Sequence, residues 1–162
     1  MSSNDSGTTT NVERRSDREL VVTRSFDAPA RLVYAAWSQA DLFRTWWVPR
    51  SLGMTLLSCT MDVRTGGGYR LEFAVDGAEP MAFFGTYTDV IPGERIVWTN
   101  EEGPDGAVTT VTFSETDGRT LVTYSELYPT KAAFEEGQSA MVDGMREQFA
   151  QLDELLAGEA VR

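Results

Sequence analysis

Residue types that commonly carry out catalysis are sparse in this chain. It has no histidine and a single cysteine, Cys59, which excludes a histidine-activated nucleophile and an intramolecular disulfide. Zinc sites are almost always built from cysteine and histidine, so a zinc site is nearly excluded as well. The adjacent acids Glu135–Glu136 point apart on a helix, whereas a general acid and base must converge on one substrate. The sequence therefore predicts no metal and no cofactor, and it identifies no catalytic residue.

Aromatic and methionine side chains indicate a different chemistry, the binding of an apolar molecule. Aromatic rings offer large rigid contact areas, and methionine thioethers adapt to irregular apolar surfaces. Each candidate has an alternative role in ordinary core packing, which the sequence leaves open. The residues that we expect to face a ligand cavity are Trp46, Trp47, Phe73, Met81, Phe83, Tyr87, Trp98, Met141, Met145 and Phe149.

These candidates must be positioned by a strand, two short helices and a series of further strands. Residues 20–26 alternate apolar and polar side chains, which predicts a first strand. Asp27 and Pro29 predict a helix start, because an aspartate oxygen can cap the first turn and proline fits within that turn. A stripe of apolar residues over 32–37 predicts the first short helix, and a second helical segment leads to Trp46–Trp47.

A strand meander is predicted after the two short helices. Turn sequences such as Pro92-Gly93 and Asp117-Gly118 separate the segments, and Asp-Gly between alternating segments indicates a hairpin. Short turns cannot make parallel crossovers, so consecutive strands should be antiparallel neighbours. The predicted strands are 55–62, 69–76, 80–91, 94–101, 107–116 and 119–127.

The chain is predicted to close with a long amphipathic helix over residues 131–157. Its apolar residues fall within an arc of about 80° at helical spacing, and they are Phe134, Met141, Met145, Phe149, Leu152 and Leu156. This stripe must be buried, and the concave face of the sheet is the large surface available for it. The predicted fold class is α+β, a curved antiparallel sheet wrapped around a C-terminal helix, with two short helices after strand 1 and a cavity between sheet and C-terminal helix.

Length and charge indicate one acidic domain. Residues 1–16 are polar and aperiodic, which predicts a disordered leader before a single domain over 17–162. The net charge is −11 and the basic residues after Arg18 are scattered singly, so nucleic-acid binding is disfavoured. No apolar run approaches the roughly 20 residues that a membrane helix needs, and no apolar signal segment begins the chain. We expect a cytoplasmic protein without a membrane span, and either a monomer or a homodimer.

Several segments, taken in order, carry a family resemblance. They are FDAPARLVYAAWSQADLFRTWWVP, GGGYRLEF, GTYTDVIPGERIVWTN, TDGRTLVTYSE and the long terminal helix. Over about 19–157 the chain resembles the START/SRPBCC (birch-pollen-allergen-like) superfamily. Within it, the chain is most similar to the branch named for homology to the activator of heat-shock protein 90 ATPase. The resemblance implies a helix-grip fold and a hydrophobic cavity.

The resemblance does not imply one activity, because members include lipid carriers, polyketide aromatase/cyclases, hormone binders and co-chaperone domains. Our leading hypothesis is a non-catalytic protein that binds a small hydrophobic ligand, either lipid-like or aromatic. One alternative is an aromatase/cyclase-like or hydrolase-like enzyme acting in the same cavity. Another is a chaperone co-factor, an interaction domain like the heat-shock protein 90 ATPase activator with a role in the stress response.

Overall fold

An antiparallel, curved sheet of eight strands dominates the computed structural model, which describes residues 10–75, 77–101 and 106–161. The strands are β1 (Asn11–Arg14), β2 (Glu19–Phe26), β3 (Met54–Met61), β4 (Gly68–Val75), β5 (Met81–Ile91), β6 (Arg95–Thr99), β7 (Val108–Thr116) and β8 (Arg119–Leu127). Their order across the sheet is β1-β2-β8-β7-β6-β5-β4-β3.

The predicted meander is confirmed. Strands β3 to β8 follow one another across the sheet, each antiparallel to its neighbour in the chain. The β7–β8 turn places Thr116 opposite Arg119, and the two residues between them, Asp117 and Gly118, both have positive φ. Asp-Gly suits this turn because glycine adopts positive φ freely and aspartate tolerates it.

Strand β1 corrects the prediction of a disordered leader over 1–16, of which residues 1–9 lie outside the described residues. Residues 11–14 pair with 20–23 of β2 and extend the sheet by one edge strand. Arg14 places its guanidinium 4.6 Å from the centre of the Phe134 ring and 3.3 Å from the Glu135 carboxylate. Because β1 is held by backbone hydrogen bonds and carries one apolar residue, Val12, its sequence shows no strand periodicity.

The two predicted short helices follow β2 as α1 (Ala30–Ser38) and α2 (Ala40–Trp46), and a 3-10 turn covers Arg50–Leu52. The predicted cap of α1 by Asp27 is wrong. Pro29 is the capping residue without a side-chain hydrogen bond, and the backbone N–H of Ala30 donates to Glu115 of β7 at 2.8 Å. A carboxylate from a distant strand therefore takes the role that we assigned to a local aspartate.

The predicted C-terminal helix is confirmed as α3 (Lys131–Val161). It packs against β2, α1 and α2, and its predicted stripe is buried, with Met141 half-buried. Phe149 packs directly against the sheet, since its ring lies 5.6 Å from that of Phe26 of β2, edge to face. Among the helices of residues 10–75, 77–101 and 106–161, none has the length and apolar character needed to cross a bilayer.

Candidate functional site

A cavity of about 210 Å³ lies between the two short helices and the inner face of the sheet. Eight of its twelve lining residues are aromatic: Trp37, Phe43, Trp47, Tyr69, Phe83, Tyr87, Trp98 and Tyr124. Met61 and Leu71 are the aliphatic members, and Asn100 and Glu126 are the polar ones. The lining is therefore mostly apolar, with polar groups at a few positions, which is typical of small-molecule sites.

Strand periodicity places the sheet residues of this lining. Tyr69 and Leu71 are two apart on β4, and Phe83 and Tyr87 are four apart on β5, so each pair projects to the inner face. Gly85 lies between Phe83 and Tyr87. A Cβ atom there would be 1.8 Å from the carbonyl oxygen of Thr99 and 2.9 Å from the ring of Tyr69. The position needs glycine because the backbone and a lining ring approach it so closely.

The helical side of the cavity is a packed group of rings. Trp47, directly after α2, stacks on Phe43 with ring centres 4.7 Å apart and planes 26° apart. Trp37 of α1 is 2% exposed and lies edge-on to Trp46 at 4.7 Å. Its indole N–H is buried and has no hydrogen-bond partner in the part of the chain that the structure describes. Ring packing, rather than hydrogen bonding, therefore holds Trp37 in the cavity wall.

Glu126 of β8 is the acidic group of the lining, and neutral hydroxyls orient it. One carboxylate oxygen accepts hydrogen bonds from the Tyr124 hydroxyl at 2.9 Å and the Thr109 hydroxyl at 3.3 Å. The other accepts from the Tyr128 hydroxyl at 2.8 Å. Hydrogen bonds to an ionised carboxylate are stronger than those between neutral groups, so they fix this side chain firmly.

The second polar lining residue, Asn100, belongs to the same network. Its side-chain nitrogen donates to the Ala107 carbonyl at 2.6 Å and to the Thr109 hydroxyl at 3.3 Å, and Thr109 in turn donates to Glu126. Its side-chain oxygen accepts from the Tyr69 hydroxyl at 3.2 Å. The network joins residues of β4, β7 and β8 with Asn100, which follows β6, and so it builds one polar end to an otherwise apolar cavity.

The buried lining tyrosines predict loss of stability at alkaline pH. Burial raises the pKa of Tyr87 and Tyr124 well above 10, with the Glu126 charge adding to the effect at Tyr124. Unfolded tyrosines ionise near pH 10, so above that pH the unfolded chain binds fewer protons than the folded one. The contribution of each tyrosine to the free energy of unfolding is complete below pH 10. Above pH 10 it falls by about 1.4 kcal/mol per pH unit, until the pH reaches the pKa of that tyrosine in the folded protein.

Urea unfolding at a series of pH values, with tyrosinate absorbance followed in parallel, measures this effect. Tyrosinate from Tyr87 and Tyr124 should appear together with the loss of structure. Tyr124→Phe should make the fall in stability above pH 10 less steep by about 1.4 kcal/mol per pH unit. Free titration of these tyrosines in the folded protein would contradict the expectation.

Four of the ten predicted site residues line the cavity: Trp47, Phe83, Tyr87 and Trp98. The other six lie elsewhere. Trp46 is fully buried and its indole N–H donates to the Ala36 carbonyl at 2.9 Å. Phe73 is buried against Phe83, whereas Met81 is 42% exposed. That the four lining residues bind a ligand stays a prediction.

The predicted place of the cavity beside the C-terminal helix is corrected, because Met141, Met145 and Phe149 are not in its lining. Phe149 contacts two lining residues instead of lining the cavity itself, and one of them is Tyr124 of β8, at a ring separation of 6.4 Å. The ring of Trp37 lies 6.3 Å from that of Phe149 and also lines the cavity. The apolar stripe of α3 is therefore used to bury this tryptophan and its neighbours.

Helix α3 instead supports the cavity wall from behind. The amide nitrogen of Gln151 donates to the carbonyls of Trp46 and Val48, both at 2.9 Å, and its oxygen accepts from the backbone N–H of Arg50 at 2.9 Å. The amide nitrogen of Gln148 donates to the carbonyl of Trp47. Both glutamines are buried. They fix the backbone that presents Trp47 to the cavity.

Several lining residues were not predicted, and Glu126 is the most informative of them. Residues 120, 122, 124 and 126 of β8 share one face, and the first three are buried. A carboxylate that continues a buried face is unusual and indicates a polar group directed inward. Strand alternation could have identified Glu126. No comparable signal was available for Trp37 and Phe43, whose helical spacing fits ordinary core packing equally well.

Among the described residues, no three cysteine, histidine, aspartate or glutamate side chains lie together as a metal site would require. The curved antiparallel sheet, the short helices and the long C-terminal helix define a helix-grip protein, the predicted fold class. The chain belongs to the family described as Activator of Hsp90 ATPase homolog 1-like protein, whose model matches residues 27–157. This family is of the SRPBCC type, so the predicted superfamily and branch are confirmed.

Solved structures of other proteins share the fold. A protein from Rhodobacter sphaeroides is 21% identical, with 93% of this chain and 99% of that one covered, and the TM-score is 0.84. A protein from Nitrosomonas europaea is 20% identical, with 91% and 99% covered and a TM-score of 0.81. Protein Ms6760 from Mycobacterium smegmatis is 22% identical, with 93% and 99% covered and a TM-score of 0.78. A search of curated proteins finds no match to this chain.

Proposed function

We propose that this protein binds a small, ring-containing apolar molecule in the cavity between its short helices and its sheet. The observation that carries this proposal is the lining, in which eight aromatic rings surround a space of about 210 Å³. Pockets for drug-sized ligands occupy roughly 300–1,000 Å³, so the ligand that fits here is smaller. A compound of one or two rings suits the volume better than a long lipid chain.

A cavity-filling substitution tests the proposal. Met61 lines the cavity at the end of β3, and Met61→Trp should occupy part of the space. We expect calorimetric titration with a panel of one- and two-ring compounds to find binding to the unmodified protein and affinity about tenfold or more lower in the variant. Met81→Trp is the matched control, because Met81 begins β5 outside the lining and is 42% exposed.

The result of this titration decides the proposal. If no member of the panel binds the unmodified protein, a ligand-carrying role for the cavity is lost. If Met61→Trp and Met81→Trp bind a compound equally well, the compound occupies some other part of the surface. Native mass spectrometry of the same mixtures provides a second measurement, because it counts the bound molecules directly.

An enzyme acting in the same cavity is a second candidate, and Glu126 is the observation that favours it. A carboxylate in an apolar cavity could serve as a general base. Both oxygens of Glu126 already accept hydrogen bonds from hydroxyl groups, an arrangement that favours holding charge over moving protons. Conversion of any bound compound, lost in Glu126→Gln, would support the enzyme, and unchanged compounds after long incubation would count against it.

An interaction with a chaperone is a third candidate, and the family description, which names an activator of the Hsp90 ATPase, is its support. Addition of the protein to a purified chaperone of this class should then raise the ATPase rate. An unchanged rate, together with no retention of the chaperone in a pull-down, would count against this role. A cytoplasmic location and a part in the stress response stay predictions as well.

A further inference from the structure

We propose that the ligand of this cavity carries a carbonyl oxygen, which accepts hydrogen bonds from the Tyr87 hydroxyl and the Trp98 indole N–H while its rings pack among the aromatic side chains. The ligand class is therefore an aryl ketone or a related ring compound with a carbonyl group. The inference rests on the proposed function, because it assumes that the cavity holds a ligand. It adds the polar group of that ligand and the place where this group binds, which a mostly apolar lining does not by itself determine.

The first argument is a pair of buried donors without acceptors. Tyr87 and Trp98 both line the cavity, and they are 3% and 8% exposed. Neither the Tyr87 hydroxyl nor the Trp98 indole N–H makes a hydrogen bond to any residue that the structure describes. Buried polar groups are almost always paired, because an unpaired one has lost its hydrogen bonds to water. An acceptor that enters the cavity would supply the missing partner.

The second argument is the placement of the two donors side by side. Tyr87 of β5 and Trp98 of β6 are directly opposite each other in the register of the sheet, and both belong to the cavity lining. Their ring centres lie 6.5 Å apart, with the planes 81° apart. A carbonyl oxygen has two lone pairs, so one oxygen between these side chains suffices for both donors.

The third argument is the use of the other polar hydrogens around the cavity. The Tyr69 hydroxyl donates to a backbone carbonyl at 2.8 Å, and the Tyr124 hydroxyl donates to a carboxylate at 2.9 Å. The unpaired indole nitrogen of Trp37 is fully buried, so a ligand does not reach it. Tyr87 and Trp98 are therefore the buried groups that can still bind a ligand, and an indole N–H can only donate. The ligand must supply the acceptor.

The fourth argument favours a carbonyl over a carboxylate, the other common oxygen acceptor. The chain carries 25 acidic residues against 14 basic ones and has a net charge of −11. Such a field lowers the local concentration of small anions near the protein. Burial also raises the pKa of the Tyr87 hydroxyl, so this group keeps its proton and remains a donor. A neutral compound with a carbonyl group therefore suits both the donors and the field.

A matched pair of ligands tests the inference with the unmodified protein. Acetophenone and α-methylstyrene have nearly the same shape, because a methylene group in the second replaces the carbonyl oxygen of the first. We expect calorimetric titration to give the ketone an affinity about fivefold or more above that of the alkene, the gain of a net hydrogen bond. Benzophenone and its methylene analogue form a second pair with two rings, and the same order should hold for them.

Proton–nitrogen NMR of the tryptophan indoles shows where the oxygen binds. The Trp98 indole N–H, assigned through its contacts with the Tyr87 ring, should move to lower field when acetophenone is added and stay in place with α-methylstyrene. The Trp46 indole N–H is an internal control, because it already donates to the Ala36 carbonyl at 2.9 Å. Its signal should respond equally little to both compounds.

Tyr87→Phe then tests the second donor. This variant keeps the ring and removes a hydroxyl that has no hydrogen bond to lose within the described part of the chain, so we expect it to fold. The ketone should fall towards the affinity of the alkene, while the alkene binds as before. Tyr34→Phe is the matched control, because Tyr34 packs edge-on against Phe113, outside the cavity lining, and loses the same hydroxyl. The control should keep the preference for the ketone.

The outcomes separate this inference from the proposed function. Equal affinities for ketone and alkene in the unmodified protein would overturn the inference and leave a ligand-binding cavity standing. A preference that survives in full in Tyr87→Phe, or an unmoved Trp98 signal, would also overturn it. If other ring compounds bind and neither member of either pair does, the inference alone is lost, and if no ring compound binds, the proposed function is lost with it. The titrations and spectra of the unmodified protein give their answer even if Tyr87→Phe fails to fold.

Discussion

Replacing Trp37 by alanine should lower the free energy of unfolding by about 3–5 kcal/mol, the usual cost of removing a large buried aromatic side chain. Trp37 is 2% exposed, and seven other rings have their centres within 6.4 Å of its own. Those seven are Phe43, Trp46, Trp47, Trp98, Phe113, Tyr124 and Phe149. The loss of stability should lie at the upper end of this range, because seven packed rings cannot all move inward to fill the void left by the Trp37 side chain.

Urea unfolding followed by circular dichroism measures the change, and Trp47→Ala is its matched control. Both tryptophans line the cavity, but Trp47 is only half-buried, so its removal takes away less packed apolar surface and should cost less than the removal of Trp37. A loss below about 1 kcal/mol for Trp37→Ala would mean that the ring occupies loosely packed space. If the proposed ligand binds in the cavity, the same variant should weaken that binding, since Trp37 is one of the lining residues.

Substitution of alanine for Gly85 should destabilise the protein by about 3 kcal/mol or more, through overpacking instead of a void. The added methyl group would lie 1.8 Å from the carbonyl oxygen of Thr99, far inside van der Waals contact. A flexible side chain could move away, but this neighbour is backbone, and the Thr99 carbonyl also accepts the Tyr69 hydroxyl at 2.8 Å. Relief of the clash must therefore separate β5 from the end of β6.

Gly144→Ala is the control for this substitution. Gly144 lies within α3, and the nearest atom to an added Cβ is a side-chain oxygen of Gln148 at 3.8 Å. Alanine is the better helix former, so this variant should be neutral or more stable by about 0.4–1 kcal/mol. Equal urea midpoints for Gly85→Ala and the unmodified protein would contradict the expected destabilisation. They would show that β5 and β6 can move apart at little cost in free energy.

The parts of the fold that the sequence predicted are those with a local periodic signal. Alternation along β4 and the apolar stripe of α3 both report a buried face, and both elements lie where that signal placed them. Strand β1 carries no such signal, since its pairing with β2 uses backbone groups that any sequence provides. The cap of α1 by Glu115 was equally inaccessible, because its two partners are 85 residues apart in the chain.

The site was predicted only in part because a cavity depends on which elements lie between others. Phe83 and Trp98 were predicted as aromatic residues of predicted strands, and both lie on the inner face of the sheet that strand alternation gives them. Met145 and Phe149 are buried as predicted, but Phe149 packs behind the lining rings of Trp37 and Tyr124, and helical periodicity cannot reveal which rings lie in front of it. Glu126 could have been predicted from alternation in β8, because it continues a face whose other residues are buried. The prediction considered only the apolar residues of such faces.

The three successive carbonyls of Trp46, Trp47 and Val48 are each held by a glutamine amide of α3. We therefore expect the last helix and the segment that carries Trp47 to open together as one cooperative unit. If the helix frayed as far back as Gln148, the three carbonyl groups would lose their hydrogen-bond donors. The segment that presents Trp47 to the cavity would be released in the same step. A molecule that binds tightly against Trp47 would in turn hold the end of the chain in place, so occupancy of the cavity and order of the terminal helix are thermodynamically linked.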